Sequence, residues 1–137
     1  MTGASRTASC ACGALVARTR GEPDGVAACN CTQCQRRTGS VFGVNAYFSS
    51  GQVHIEGESK AFERRSQRGR RVTFHFCPSC GTSVYFTGEF AADIVGVPVG
   101  CFADPDFPPP ERAVWTGTRH GWVEFPAQCE LFEEQKG

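Results

Sequence analysis

The sequence predicts a mostly β protein, and three observations lead there. Glycine, proline and phenylalanine are abundant (16, 8 and 11 of 137 residues), which favours short strands joined by tight turns over long helices. The single methionine is the first residue and leucines are few, which argues against a helical bundle. Seven of the nine cysteines fall into three tight groups: 10 and 12, then 29, 31 and 34, then 77 and 80. Such C-x-C and C-x-x-C pairs suit metal staples between strands better than a disulfide framework.

Residues 1–9 are small and polar and read as a flexible end, and Cys10-Ala11-Cys12-Gly13 opens the fold. Ala14 to Arg20 alternates as a strand, 21–25 is a turn, and Val26 to Ala28 leads as a second strand into the middle cysteines. Thr32 to Arg37 reads as one short helical turn, followed by an apolar strand from Val41 to Phe48. Gln52 to Glu56 and Lys60 to Arg65 read as a hairpin around Gly57-Glu58. In Arg71 to Phe76, Val72, Phe74 and Phe76 share one face, and Thr82 to Thr87 is the partner strand. Cys77-Pro78-Ser79-Cys80 then sits at the hairpin tip. Ile94 to Phe102 is a further strand in which Pro98 suggests an edge or a bulge. The proline-rich stretch 103–110 has to be an extended loop. Arg112 to Thr116 and Trp122 to Phe125 are the last short strands. Residues 10–127 then form one metal-stapled domain, and 128–137 an acidic tail.

The totals limit the function classes. Apolar content of 40%, charged content of 20% and a formal net charge of zero describe a soluble globular domain with no bulk attraction to nucleic acid or membrane. Residues 1–12 lack a signal-peptide core, and no stretch reaches the roughly 18 apolar residues of a membrane span. The expectation is a cytoplasmic protein with reduced thiols.

Three cysteines within Cys29-Asn30-Cys31-Thr32-Gln33-Cys34 cannot pair off as disulfides without leaving one over, and a C-x-C bridge is strained. Thiolates on one tight turn can instead share one tetrahedral ion, and three of them leave the fourth position open, as in a catalytic zinc site. The grouping that uses all seven cysteines places Cys10, Cys12, Cys77 and Cys80 in a closed structural site and Cys29, Cys31 and Cys34 in an open one. Spacing alone also allows Cys77 and Cys80 to join two of the middle cysteines in a single site, with Cys10 and Cys12 as ordinary thiols. Cys101 and Cys129 stand alone and read as small buried hydrophobes.

The order C-x-C-G, C-x-C-x-x-C-x-R-R-[ST]-G and F-C-x-x-C-G-[ST] resembles the glutathione-dependent formaldehyde-activating family. It is carried by Cys10 to Gly13, Cys29 to Gly39 and Phe76 to Thr82. Gly96 to Pro105 and His120-Gly121-Trp122 also look like members, so the likeness runs from about Cys10 to Pro126. The resemblance implies a β-tent fold of several small antiparallel sheets stapled by zinc. It also implies two zinc ions per chain, one structural on the outer cysteine pairs and one catalytic in type on the middle three. Members commonly carry His between the first two middle cysteines, where this chain has Asn30.

The implied reaction is carbon–sulfur lyase chemistry, in which the glutathione thiol adds to formaldehyde or another small aldehyde. A thiol in the open position on zinc would ionise near neutral pH. The alkoxide formed by attack needs a proton donor, for which Tyr47 and His120 are the candidates; the alternatives are a packed strand ring and a turn residue. Arg36 and Arg37 follow the metal turn at once and suit the carboxylates of glutathione, or else face solvent. Trp122 and Trp115 are candidates for a pocket wall or for core. Lys60, Arg64, Arg65, Arg68, Arg70 and Arg71 against Glu63 make a local +5, either a contact surface or a solvated hairpin face. A non-catalytic zinc-stabilised binding module, a thiol carrier and a metal-buffering protein are the competing classes. Nucleic acid is not an expected partner, and the oligomeric state is open.

Overall fold

The computed structural model describes residues 4–135. Its strands are β1 (Ser5–Ser9), β2 (Val16–Arg20), β3 (Gly25–Cys29), β4 (Gly43–Ser49), β5 (Val53–Glu56) and β6 (Lys60–Arg65). They continue with β7 (Arg71–Phe76), β8 (Ser83–Gly88), β9 (Ala91–Pro98), β10 (Arg112–Val114) and β11 (Glu130–Leu131), and helix α1 (Thr32–Thr38) lies between β3 and β4. The mostly β expectation holds. Contacts divide the chain into two compact units: one takes the chain up to Asp24 with Ala46–Phe107, the other Gly25–Asn45 with everything from Pro108.

The first unit contains an antiparallel sheet ordered β1–β2–β5 and the antiparallel run β9–β8–β7–β6, with β4 beside β9. Its core is built from residues that alternation placed inward, including Leu15, Ala17, Phe48, Phe74, Val84, Phe86 and Val97. Phe102 stacks on Phe107 at 4.6 Å and meets Phe48 at 6.3 Å. In the second unit the order is β11–β10–β3–β4, and β10 runs parallel to both β3 and β11. Small residues make this possible: Ala28 and Ala113 are fully buried, and with Cys129 they form a core closed by Phe42, Val44 and Phe125.

Several sequence expectations change. Residues 1–9 are not a loose end from Ser5 onward; residues 1–3 lie outside the described residues. Ser5–Ser9 pairs with β2 residue by residue, buries Ala8 completely, and lays Arg6 over the Phe107 ring at 4.8 Å. The tail likewise contributes β11, and its residues 136–137 lie outside the described ones. β5 and β6 are not a hairpin, because β5 pairs with β2 and β6 with β7. Gly57 between them adopts a φ of +101°, where a Cβ would collide with the Ala14 carbonyl, so the chain leaves the first sheet there. The strand expected to reach Phe102 stops at Pro98, and Val99–Phe102 is a 3-10 turn. Trp122 to Phe125 is not a strand; Val123 N donates to the His120 carbonyl in a turn (3.0 Å).

Candidate metal centres

Cys10, Cys12, Cys77 and Cys80 converge in the first unit, with all four sulfurs within 4.8 Å of one another. Two similar turns bring them there. In each, a glycine with positive φ (Gly13 at +84°, Gly81 at +82°) closes the turn by donating its N–H to a cysteine carbonyl, Gly13 to Cys10 (3.1 Å) and Gly81 to Cys77 (2.8 Å). Backbone N–H groups aim at the sulfurs, Leu15 N at Cys10 Sγ (3.2 Å) and Ser79 N at Cys77 Sγ (3.4 Å). Ala11 N donates to the Thr82 hydroxyl at 3.1 Å and joins the two turns across 71 residues of sequence. The same hydroxyl, with the Thr82 backbone, holds the Cys80 thiol down at about 5. The hydrogen bond with the Ala14 backbone lowers Cys12, but contacts with Cys77 and Cys10, burial and Cys80 together push it up to about 11. The single-site alternative, with Cys77 and Cys80 joining the middle cysteines, is not the arrangement found.

Cys29, Cys31 and Cys34 form a separate group in the second unit, their sulfurs also within 4.8 Å. The local sequence produces it. Cys29 ends β3, Cys31 is the N-cap of α1, and Cys34 faces inward one helical turn later. Cys31 Sγ accepts the Cys34 N–H at 3.3 Å, a cap usually made by Ser or Asp. The helix ends at Gly39 with φ of +70°. Hydrogen bonds from the Cys29 and then the Cys34 thiol bring Cys31 down to about 2, and Cys29 is correspondingly pushed up. Cys34 is raised on balance: the bond with Cys29 lowers it, but the bond with Cys31 and burial prevail, even against the charge of Arg37. Among the described residues no fourth His, Cys, Asp or Glu joins this group.

Asn30, the departure noted in the sequence, is wholly buried and braces the turn. Its backbone N (3.1 Å) and Nδ2 (2.9 Å) both donate to the Val114 carbonyl, 84 residues away. Its own carbonyl accepts from Gln35 Nε2 (2.9 Å) and Thr118 Oγ1 (2.8 Å), while Oδ1 has no hydrogen-bond partner among the described residues. Thr118 is carried there by a 3-10 turn that Trp115 starts with φ of +56°, a conformation rare for a bulky residue. Gln35, Thr118 and the Val114 carbonyl were invisible in the sequence. Only Gln35, inside the cysteine motif, sat where it could have been suspected.

The other site candidates fall in different places. His120 Nε2 lies 3.2 Å from Gln35 Oε1, which ties it to the helix that carries Cys34. Arg36 and Arg37 occupy the last turn of α1; Arg36 is exposed, and Arg37 lies along Gly43, where a Cβ would come within 3.2 Å of its Nη2. Trp122 is 73% exposed. The Tyr47 ring packs edge-on against Phe86 (6.0 Å) and Phe90 (5.9 Å) in the first unit. Cys129 is buried as expected; Cys101 is half-buried and donates to the Ser83 carbonyl at 3.3 Å.

A mostly β chain with a group of four thiols and a separate three-thiol turn defines a class: small β proteins built around cysteine clusters that could hold metal ions. Within that class the chain belongs to the family described as glutathione-dependent formaldehyde-activating enzyme, whose family model matches residues 5–118. Membership implies glutathione-dependent formaldehyde activation. The fold is similar to the crystal structure of a Rhodobacter sphaeroides protein, with a TM-score of 0.56 at 18% identity, covering 72% of this chain and 91% of that one. No curated protein matches the chain significantly. No helix among the described residues is long and apolar enough to cross a membrane.

Proposed function

We propose that the chain is a zinc-dependent carbon–sulfur lyase-type enzyme that joins glutathione, or a similar small thiol, to formaldehyde or another small aldehyde. Two zinc ions per chain fit the cysteines present. Four sulfurs about 2.3 Å from one zinc stand about 3.8 Å apart, and the Cys10–Cys12 and Cys12–Cys77 sulfurs are 3.7 and 3.6 Å apart. All-thiolate donor sets also favour zinc over harder ions. The observation that carries the reading is the contrast between the groups, four sulfurs in one and three in the other. Cys29, Cys31 and Cys34 would hold a zinc ion, which would make a bound thiol acidic enough to ionise near neutral pH.

The chain's own residues complete the reaction. The thiol loses its proton as the carbon–sulfur bond forms, the carbonyl π pair moves to oxygen, and that oxygen takes a proton; nothing else is consumed. His120, tethered to α1 through Gln35, is the candidate for moving the proton. Arg36 and Arg37, in the last turn of the helix that carries Cys34, supply cationic donors for the carboxylates of glutathione, with the exposed Trp122 as an apolar wall. The nine unbridged cysteines support a reducing compartment, and the cytoplasm is the proposed location.

One feature favours a binding module instead. β6 is an edge strand on which Phe62 is 59% exposed among Lys60, Arg64 and Arg65. The two readings separate in a rate, because thiols add to formaldehyde unaided. Exchange between free glutathione and its formaldehyde adduct, followed by NMR with labelled formaldehyde, is expected to speed up with zinc-loaded wild type. It should return to the unaided rate with Cys34→Ser. Equal rates with and without wild-type protein would leave the module or a thiol carrier.

A further inference from the structure

The Gln35 carboxamide is committed at both ends. Its Nε2 donates to the Asn30 carbonyl at 2.9 Å and to the Thr118 carbonyl at 3.1 Å, which uses both of its protons. Flipping the amide would set Oε1 against two carbonyl oxygens, so its orientation is fixed by the backbone around it. Oε1 therefore faces His120 Nε2 at 3.2 Å as an acceptor without a proton to give. The hydrogen of that contact belongs to Nε2, and in the neutral ring Nδ1 holds the lone pair. His120 itself is exposed, and its imidazole contacts the Gln35 carboxamide.

We propose that Gln35 is a positioning residue that locks His120 in the Nε2–H tautomer and presents Nδ1 as the proton carrier beside the three-cysteine turn. The tether is short: one carboxamide links the imidazole to the carbonyl of Asn30, the residue between Cys29 and Cys31. Nδ1 takes the thiol proton as sulfur attacks the aldehyde carbon, while the π electrons move to oxygen. The imidazolium Nδ1–H then returns that proton to the oxygen, and His120 is restored. A hydrogen bond from Nε2–H to an oriented acceptor stabilises the transient imidazolium throughout. This step rests on the proposed thiol addition, but the tautomer lock does not.

Nitrogen-15 spectra of the histidine rings, with His120 assigned by its loss in His120→Gln, test the lock without any turnover. Wild type is expected to show a protonated Nε2 and a bare Nδ1. In Gln35→Ala (or Gln35→Met, should the smaller side chain fail to fold) the two shifts should move towards each other as tautomers mix. An Nδ1–H form in wild type, or shifts unchanged by the Gln35 substitution, would overturn the proposal. In the exchange assay His120→Gln is expected to lower kcat about 100-fold and Gln35→Ala about tenfold, with KM unchanged. A His120→Gln variant as fast as wild type overturns the proton step while the thiol addition stands. A wild type that accelerates nothing overturns the proposed function and the proton step together, and the nitrogen shifts then decide the lock alone.

Discussion

At the residue scale, Asn30 shows how one buried amide braces the three-cysteine turn. Its Nδ2 and backbone N share the Val114 carbonyl, so removing the side chain leaves that acceptor one bond, whereas a carboxylate would face it with no proton. Asn30→Ala should therefore cost about 1 kcal/mol, and Asn30→Asp about 3 kcal/mol or more. Urea unfolding of zinc-loaded protein measures both, and equal costs would contradict the bracing role. A histidine here would have to fit a fully enclosed site and still supply the donor, so Asn30→His should also destabilise, by about 1–3 kcal/mol. The three-cysteine group was legible in the sequence because its spacing is local, whereas spacing alone left the partners of Cys77 and Cys80 open, because Cys12 and Cys77 are 65 residues apart. The role of Asn30 was not, because its partner lies 84 residues away and hydropathy carries no trace of a hydrogen bond.

At the element scale, β7 and its partner β8 are legible in the sequence almost to the residue, because Val72, Phe74 and Phe76 share one face. β1 is hidden in the sequence because Ala8 is its one buried residue, and the half-buried Arg6 and Ser9 are polar. The β5–β6 pairing was misread because a Gly-Glu pair looks like a hairpin turn whether or not the flanking strands stay together. A clamp across β7 and the β8–β9 turn allows a test. Arg71 N donates to Glu89 Oε1 at 2.7 Å, and Glu89 N donates to the Arg71 carbonyl at 3.0 Å. The Arg71 backbone N–H, helped by its guanidinium, holds the Glu89 carboxyl below the usual range. A lowered carboxyl stabilises the fold above its unfolded value, about 4.3, and that increment is lost as pH falls through the folded value. Glu89→Gln should thus be less stable than wild type at pH 7, and the two should converge in acid. Urea midpoints across pH read this directly, and a constant gap would contradict it.

At the scale of the whole molecule, each compact unit contains one cysteine group. The four-cysteine group ties the start of the chain to a hairpin 65 residues later, so its metal is expected to hold the first unit together. Cys77, 1% exposed, is the ligand whose loss should be felt most. Cys77→Ser should shed one zinc and lower Tm by about 10 °C or more, given roughly 4 °C per kcal/mol for a chain between the small and medium domain sizes. Cys34→Ser should lower it far less, since the Cys31 cap and the Asn30 bonds brace the other turn independently of the metal. Thermal melts of the two variants side by side decide this, and equal shifts would contradict a purely structural role for the clip.

An open three-cysteine zinc site that takes a thiol is tested most directly by metal content. Zinc per chain is measured on freshly purified, reduced wild type and Cys31→Ser, and glutathione is added to the cobalt-substituted wild type while its absorption spectrum is followed. The expected result is two zinc ions falling to one in the variant, with a spectral shift when the thiol binds. A single zinc that Cys31→Ser leaves in place, with no response to glutathione, would contradict it.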